Sequence, residues 1–149
     1  MSVCTFLAAD CPLPIVSPSR DYPLHINIDT GTIDDGGADD NFFLRPFPDV
    51  DLYSDKSQGV ALEWPQYTPG RAKQILSYIE TTLTRTDTVE LWLVWLGNFT
   101  EYEDRPRIHS FQAAISELVP EDLHTFCNQP IWDNPTSQRP SFYRLTIHR

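Results

Sequence analysis

TPGRAKQILSYIETTLTRTDTVELWLVWL, residues 68–96, holds two hydrophobic rhythms in succession, and the change from one to the other decides the fold. In the first half Ala72, Ile75, Leu76, Ile79 and Leu83 recur at three-, four- and seven-residue spacings, which places one apolar stripe along a helix. Thr68 suits the N-cap, and Pro69 suits the first helical position, where its missing N–H costs nothing. A helix is therefore predicted over about residues 69–86. In the second half, Thr88 to Leu96 is a nearly continuous run of Val, Leu and Trp. A strand that is apolar on both sides needs cover on both sides, so this one belongs at the centre of a sheet.

Working outward, Gly59 to Trp64 (GVALEW) alternates as a strand before the helix. Arg107 to Ile115 reads as a strand after it. Pro120-Glu121-Asp122 opens a short helix over about 120–128. Ser141 to His148 (SFYRLTIH) closes the chain with Tyr143, Leu145 and Ile147 toward the core. The order from Gly59 is β-α-β-β-α-β, a split βαβ pattern. Ahead of it stand Val3 to Ala9, then Leu24 to Asp29, which alternates as a half-buried strand with Thr32-Ile33 as its hairpin return. Phe42 to Phe47 follows, placed near a sheet edge by Pro46. Four prolines between Cys11 and Pro23 make that segment extended loop. The expected fold class is α+β: a single antiparallel or mixed sheet, one long helix and one short helix, in one domain of 149 residues. Trp92 and Trp95, three apart on a strand, face opposite ways. One belongs to the core, and the other is available for a groove or a homodimer contact.

The composition excludes several classes. Hydrophobic residues at 40% and aromatics at 12% suffice for a packed core without a metal or disulfide. The longest near-apolar run, Val89 to Gly97, is too short to span a bilayer, and MSVCTFLAADCPLP lacks a basic leading region, so neither membrane insertion nor a signal peptide is expected. Cys4, Cys11 and Cys127 show no metal-ligand spacing, which points to reduced thiols in a cytoplasm, with a Cys4–Cys11 disulfide as the rival. HExxH, CxxC, GxSxG and glycine-rich phosphate loops are all missing, so no cofactor is expected. Net charge is −10, with eleven acids and three bases in residues 1–68 against ten acids and eight bases thereafter. Such a field repels nucleic-acid phosphates and attracts cationic partners.

The acids concentrate in DTGTIDDGGADDNFF, residues 29–43, which holds five aspartates and no lysine or arginine. Asp29-Thr30-Gly31 after Ile28 resembles the catalytic triplet of aspartic proteases. That chemistry needs two facing copies, and a hairpin turn uses the same letters, because Asp tolerates turns and Gly supplies positive φ. Asp34, Asp35, Asp39 and Asp40 could offer oxygen to a divalent cation, although EF-hand spacing fails. The reading preferred here treats the acids as a surface. Asp34, Asp35, Asp39 and Asp40 with Phe43 and Tyr53, joined by Glu101 and Tyr102 from the second acidic-aromatic stretch Glu101–Pro106, form a site for a basic protein. Charge steers the encounter and rings anchor it.

The phrases Gly37-Ala38-Asp39-Asp40-Asn41-Phe42-Phe43-Leu44, Glu103-Asp104-Arg105-Pro106 and Arg139-Pro140-Ser141-Phe142-Tyr143 resemble those of a family of small, acidic, uncharacterised bacterial proteins. In size, acidity and aromatic content the chain is also similar to immunity proteins that neutralise secreted bacterial toxins. That resemblance implies a cytoplasmic inhibitor of a basic toxin domain, acting by occlusion, and it carries over no site residues. The alternative is a small hydrolase or cation-dependent enzyme built on the Asp29–Asp40 loop.

Overall fold

The computed structural model describes residues 3–96, 106–132 and 140–149. Its main sheet is mixed and six-stranded. The elements are β1 (Val3–Ala9), β2 (His25–Asn27), β3 (Thr32–Asp34), β4 (Phe43–Pro46), β5 (Gln58–Glu63), α1 (Pro69–Thr82), β6 (Thr88–Trp95), β7 (Arg107–Ala114), α2 (Pro120–Cys127) and β8 (Ser141–His148). The main sheet runs β4-β5-β1-β6-β8-β7, and β2-β3 form a separate ribbon. β1 is antiparallel to both β5 and β6, so β5-α1-β6 is a βαβ unit with the N-terminal strand inserted between its two strands. β7-α2-β8 is a second such unit, whose strands are parallel neighbours. The predicted element order from Gly59 is therefore the one found.

α1 begins as the sequence dictates, with Thr68 Oγ1 accepting from Arg71 N at 3.1 Å and Pro69 behind it. It stops at Thr82, short of residue 86. Thr82 Oγ1 donates to Tyr78 O, Thr84 Oγ1 donates to Thr81 O, and Arg85 N turns back to Thr82 O. These threonine hydroxyls and tight backbone bonds take up the last carbonyls and end the helix. At α2, Asp122 Oδ2 accepts Val119 N at 2.8 Å and holds the entry.

The central strands of the sheet are buried on both faces. Leu7, Leu91, Leu93, Tyr143, Leu145 and Ile147 lie under α1 and α2, against Ala72, Ile75, Ile79, Leu83, Leu123 and Phe126. The other face carries Phe6, Ala8, Trp92, Val94 and Phe142. It is covered by Phe47 and by Val50 of a short 3-10 helix, Pro48–Leu52, that the sequence did not signal. Phe6 stacks between Phe47 at 4.4 Å and Trp92 at 5.9 Å. Central β6 is buried from Val89 to Val94, as its composition requires. Trp92 is thus enclosed within its own chain and cannot serve a homodimer contact, whereas Trp95 is half-buried against Trp132 at 6.0 Å.

The short helix approaches β5 so closely that a Cβ on Gly59 would meet Val50 Cβ at 2.9 Å and Phe47 O at 3.3 Å. Neither neighbour is the far end of a flexible side chain. Gly59→Ala is expected to cost about 1–3 kcal/mol by overpacking, read from urea unfolding. A neutral result would mean that the 3-10 segment does not press on β5.

Candidate functional site

Val16 N donates to Leu44 O and Leu44 N to Val16 O, both at 3.0 Å. This isolated bridge ties the chain to itself beside edge strand β4. Residues 17–43 form an excursion from that neck. Loops this long in compact proteins are commonly functional. Most of the N-terminal acid sits here, and the structure sorts it carboxylate by carboxylate.

Asp35 points inward and is 1% exposed, which corrects its expected place on a partner-facing surface. Its carboxylate lies 3.0 Å from Nη1 of Arg71, a side chain with no exposure at all. Arg71 Nε also donates to Ala38 O and Nη1 to Gln66 O, each at 3.1 Å. Burial pushes the Asp35 carboxyl up. The Arg71 contact, the Gly37 N–H and the Arg71 charge outweigh that and hold it below its ordinary value. The acidic loop is thereby bolted to the first turn of α1. Arg71 carries no motif that marks it as a site residue; the one signal for it is its position on the apolar stripe, four residues before Ile75.

Asp40 is half-buried and turned toward the proline-rich segment. It accepts from Ser19 Oγ, from Ser19 N at 3.3 Å and from Tyr22 Oη at 2.6 Å. The Ser19 and Tyr22 hydrogen bonds draw its pKa down to about 2. The folded values of Asp35 and Asp40 both lie below the unfolded one, near 3.9. Their contribution is therefore full above about pH 4 and is lost as pH falls through the folded values. Acid unfolding of the wild type is expected to steepen between about pH 4 and pH 2, with the Asp40 carboxyl titrating near 2 by NMR. An ordinary Asp40 titration near 4 would break this account.

Asp39 is exposed and lies over the start of α1, where a Cβ at Gly70 would overlap its carboxylate. Asp34, exposed at the end of β3, accepts Gly36 N at 2.9 Å. Phe43 is half-buried under the Arg45 guanidinium, 4.3 Å from its ring. It closes one side of an open groove of about 470 Å³ lined also by Ser17, Arg20, Tyr22 and Asn41. Tyr53 is not in this group. It packs with Phe6, Phe47 and Phe142 on the opposite sheet face, at 5.7, 6.1 and 5.8 Å. Asp49 and Asp51 lie on that side too, on the 3-10 helix. The acids are therefore divided between two faces and not gathered on one. Glu101 and Tyr102 lie outside the described residues.

Leu24 to Asp29 corrects a further expectation. Every residue of β2 and β3 is exposed, so the alternation marks a ribbon lying outside the main sheet and not a half-buried strand. Its turn is tied by Asn27 Oδ1, which accepts from Asp29 N at 3.0 Å and Thr30 N at 3.2 Å, and Gly31 takes φ 66°. The protease-like triplet Asp29-Thr30-Gly31 is this exposed tip. His109 Nε2 does lie 3.2 Å from Ser141 Oγ, but Ser141 is fully buried and presents no hydroxyl to a substrate. No group of three or more His, Cys, Asp or Glu converges among the described residues. The three thiols are free, and burial raises Cys4 and Cys127 to about 11, Cys4 with help from Glu63. No helix among the described residues is long and apolar enough to cross a membrane.

The fold is α+β, with an acid-bearing excursion at one sheet edge. Comparison with protein families, with curated proteins and with solved structures finds no match.

Proposed function

We propose that this chain is a protein-binding module that takes a cationic protein on the acidic excursion beside β4, and that it is an immunity-type inhibitor acting by occlusion of a basic toxin domain in the cytoplasm. One observation carries the reading. Between the tied residues Val16 and Leu44, the chain presents exposed Asp21, Asp29, Asp34 and Asp39 against the single cation Arg20. Asp10, just before the neck, is already paired with Lys56 at 3.2 Å. An unbalanced patch of this kind raises the encounter rate of a positive partner, and a loop fixed at its neck loses less entropy on docking.

Asp21 and Asp29 are the clean probes, because both are exposed and neither carboxylate accepts a hydrogen bond from another of the described residues. Asp21→Lys/Asp29→Lys is expected to slow association with a basic toxin domain by about 10- to 100-fold at low ionic strength and to flatten its salt dependence. Stopped-flow mixing measures this. The functional test is co-expression with the basic C-terminal domain of a secreted protein encoded beside this chain. Growth arrest by the domain alone, relieved by the wild type and poorly relieved by the double variant, is the expected result. No relief and no complex would overturn the proposal.

A further inference from the structure

We infer that the apolar face of the β2–β3 ribbon is the anchor for that partner, and that it receives an amphipathic segment carrying aliphatic side chains between lysines or arginines. The inference rests on the function proposed above and adds where, and with what chemistry, the contact is made.

The register sets the faces. Ile26 stands opposite Ile33, with Leu24 just before the strand at two-residue spacing and Ile28 at the start of the turn that follows it. The other face pairs His25 with Asp34 and Asn27 with Thr32. The ribbon is thus amphipathic, yet its apolar residues are uncovered: Leu24 is 57% exposed, Ile26 67%, Ile28 89% and Ile33 60%. A sheet with one apolar face ordinarily buries it against another layer. A contiguous apolar patch rimmed by polar groups marks an interaction surface. A free two-stranded ribbon is marginal in water, but the Asn27 side chain fixes this turn, so the face stands ready for a partner.

Charge selects the occupant. Asp29 sits at the tip of the ribbon, Asp21 is exposed just ahead of it, and the chain carries −10. A second copy would bring the same carboxylates together, and like charges across an interface oppose docking. Anionic lipid and nucleic acid meet the same repulsion. A segment that places aliphatic groups on Ile26 and Ile33 and a cation beside Asp29 at the tip satisfies both halves of the surface.

The test uses the full chain and two synthetic probes, a lysine–leucine amphipathic peptide and a charge-matched lysine–serine peptide, titrated by fluorescence anisotropy. The wild type is expected to bind the leucine peptide about 10-fold or more tightly than the serine peptide, the effect of burying one or two aliphatic side chains. Ile26→Ser/Ile33→Ser is expected to lose that preference while binding the serine peptide as before. Leu24→Ser/Ile28→Ser, which leaves the cross-strand pair intact, serves as the second variant should the first alter folding. Equal binding of both peptides by the wild type, or a preference that survives both variants, would overturn the anchor and leave the charge-based function standing. Binding of neither peptide would remove both. A dimer in sedimentation that either variant dissociates would make a second copy the occupant and overturn the cationic partner.

Discussion

Arg71→Ala is expected to cost about 3–5 kcal/mol of stability at neutral pH, because it leaves a buried carboxylate without its counter-charge. For a chain of this size that is a fall in Tm of about 10 °C or more. Arg71 holds three groups at once: the Asp35 carboxylate, the Ala38 carbonyl and the Gln66 carbonyl. Its removal unpins the acidic loop from α1 as well as destabilising it. The pH dependence separates this account from a simple packing defect. In the wild type the folded Asp35 pKa lies below the unfolded one, so its contribution is present above about pH 4 and fades toward acid. Without Arg71, only the Gly37 N–H and the Asp35 backbone still oppose burial, so the folded pKa of Asp35 rises and the stability it contributes above about pH 4 is reduced. The deficit of Arg71→Ala is therefore expected to be greatest at pH 7 and to shrink toward pH 3, in urea unfolding at both values. Arg71→Met/Asp35→Leu removes both charges and is expected to recover most of the loss. A deficit under about 1 kcal/mol for the single variant would mean that the pair is solvated.

Trp92→Ala is the second large effect, about 3–5 kcal/mol, as for aromatic truncations in other cores. The indole stacks on Phe6 at 5.9 Å with planes 5° apart, lies under the Arg144 guanidinium at 5.5 Å, and donates Nε1–H to Glu90 Oε1 at 3.0 Å. Glu90 is itself nearly buried and accepts from Ser54 Oγ, which ties the segment after the 3-10 helix to the sheet. Alanine opens a cavity and also takes one donor from a buried carboxylate. Trp92→Phe keeps most of the volume and loses the donor alone, and is expected to cost about 1–3 kcal/mol. Far-UV circular dichroism in urea resolves the two. Equal losses for Phe and Ala would assign the effect to the Glu90 bond, and a neutral Phe variant would assign it all to packing.

Helices and strands were readable because their signals are local. The stripe Ala72–Leu83, the Thr68-Pro69 start and the run Val89–Val94 each state their own geometry within a few residues. Periodicity carries α1 about four residues past its end at Thr82, because threonine hydroxyls compete for helix carbonyls and periodicity does not register that competition. The 3-10 helix is silent in the sequence for a related reason. Pro48–Leu52 has no period of its own and is held by contact with Gly59 and Phe6.

The candidate site was less legible. Five aspartates in one short stretch look alike in sequence, yet one is buried on Arg71, one is clasped by Ser19 and Tyr22, one lies over the start of α1, and two stand on the ribbon. Tyr53 looked like their neighbour and packs on the other side of the sheet. Leu24, Ile26 and Ile28 alternate as any half-buried strand does, because the period of two reports a pleated strand and not what lies against it.

By itself the sequence determined the α+β order, the central place of β6, the two helices and the strong negative charge, since these follow from period, capping and composition. Which carboxylates face water, which aromatic rings share a core, and that an aliphatic ribbon stands uncovered beside the acids were decided only by tertiary structure. Each depends on a partner far along the chain, Asp35 on Arg71, Phe6 on Trp92 and Val16 on Leu44, and pairings across such separations leave no mark in local pattern.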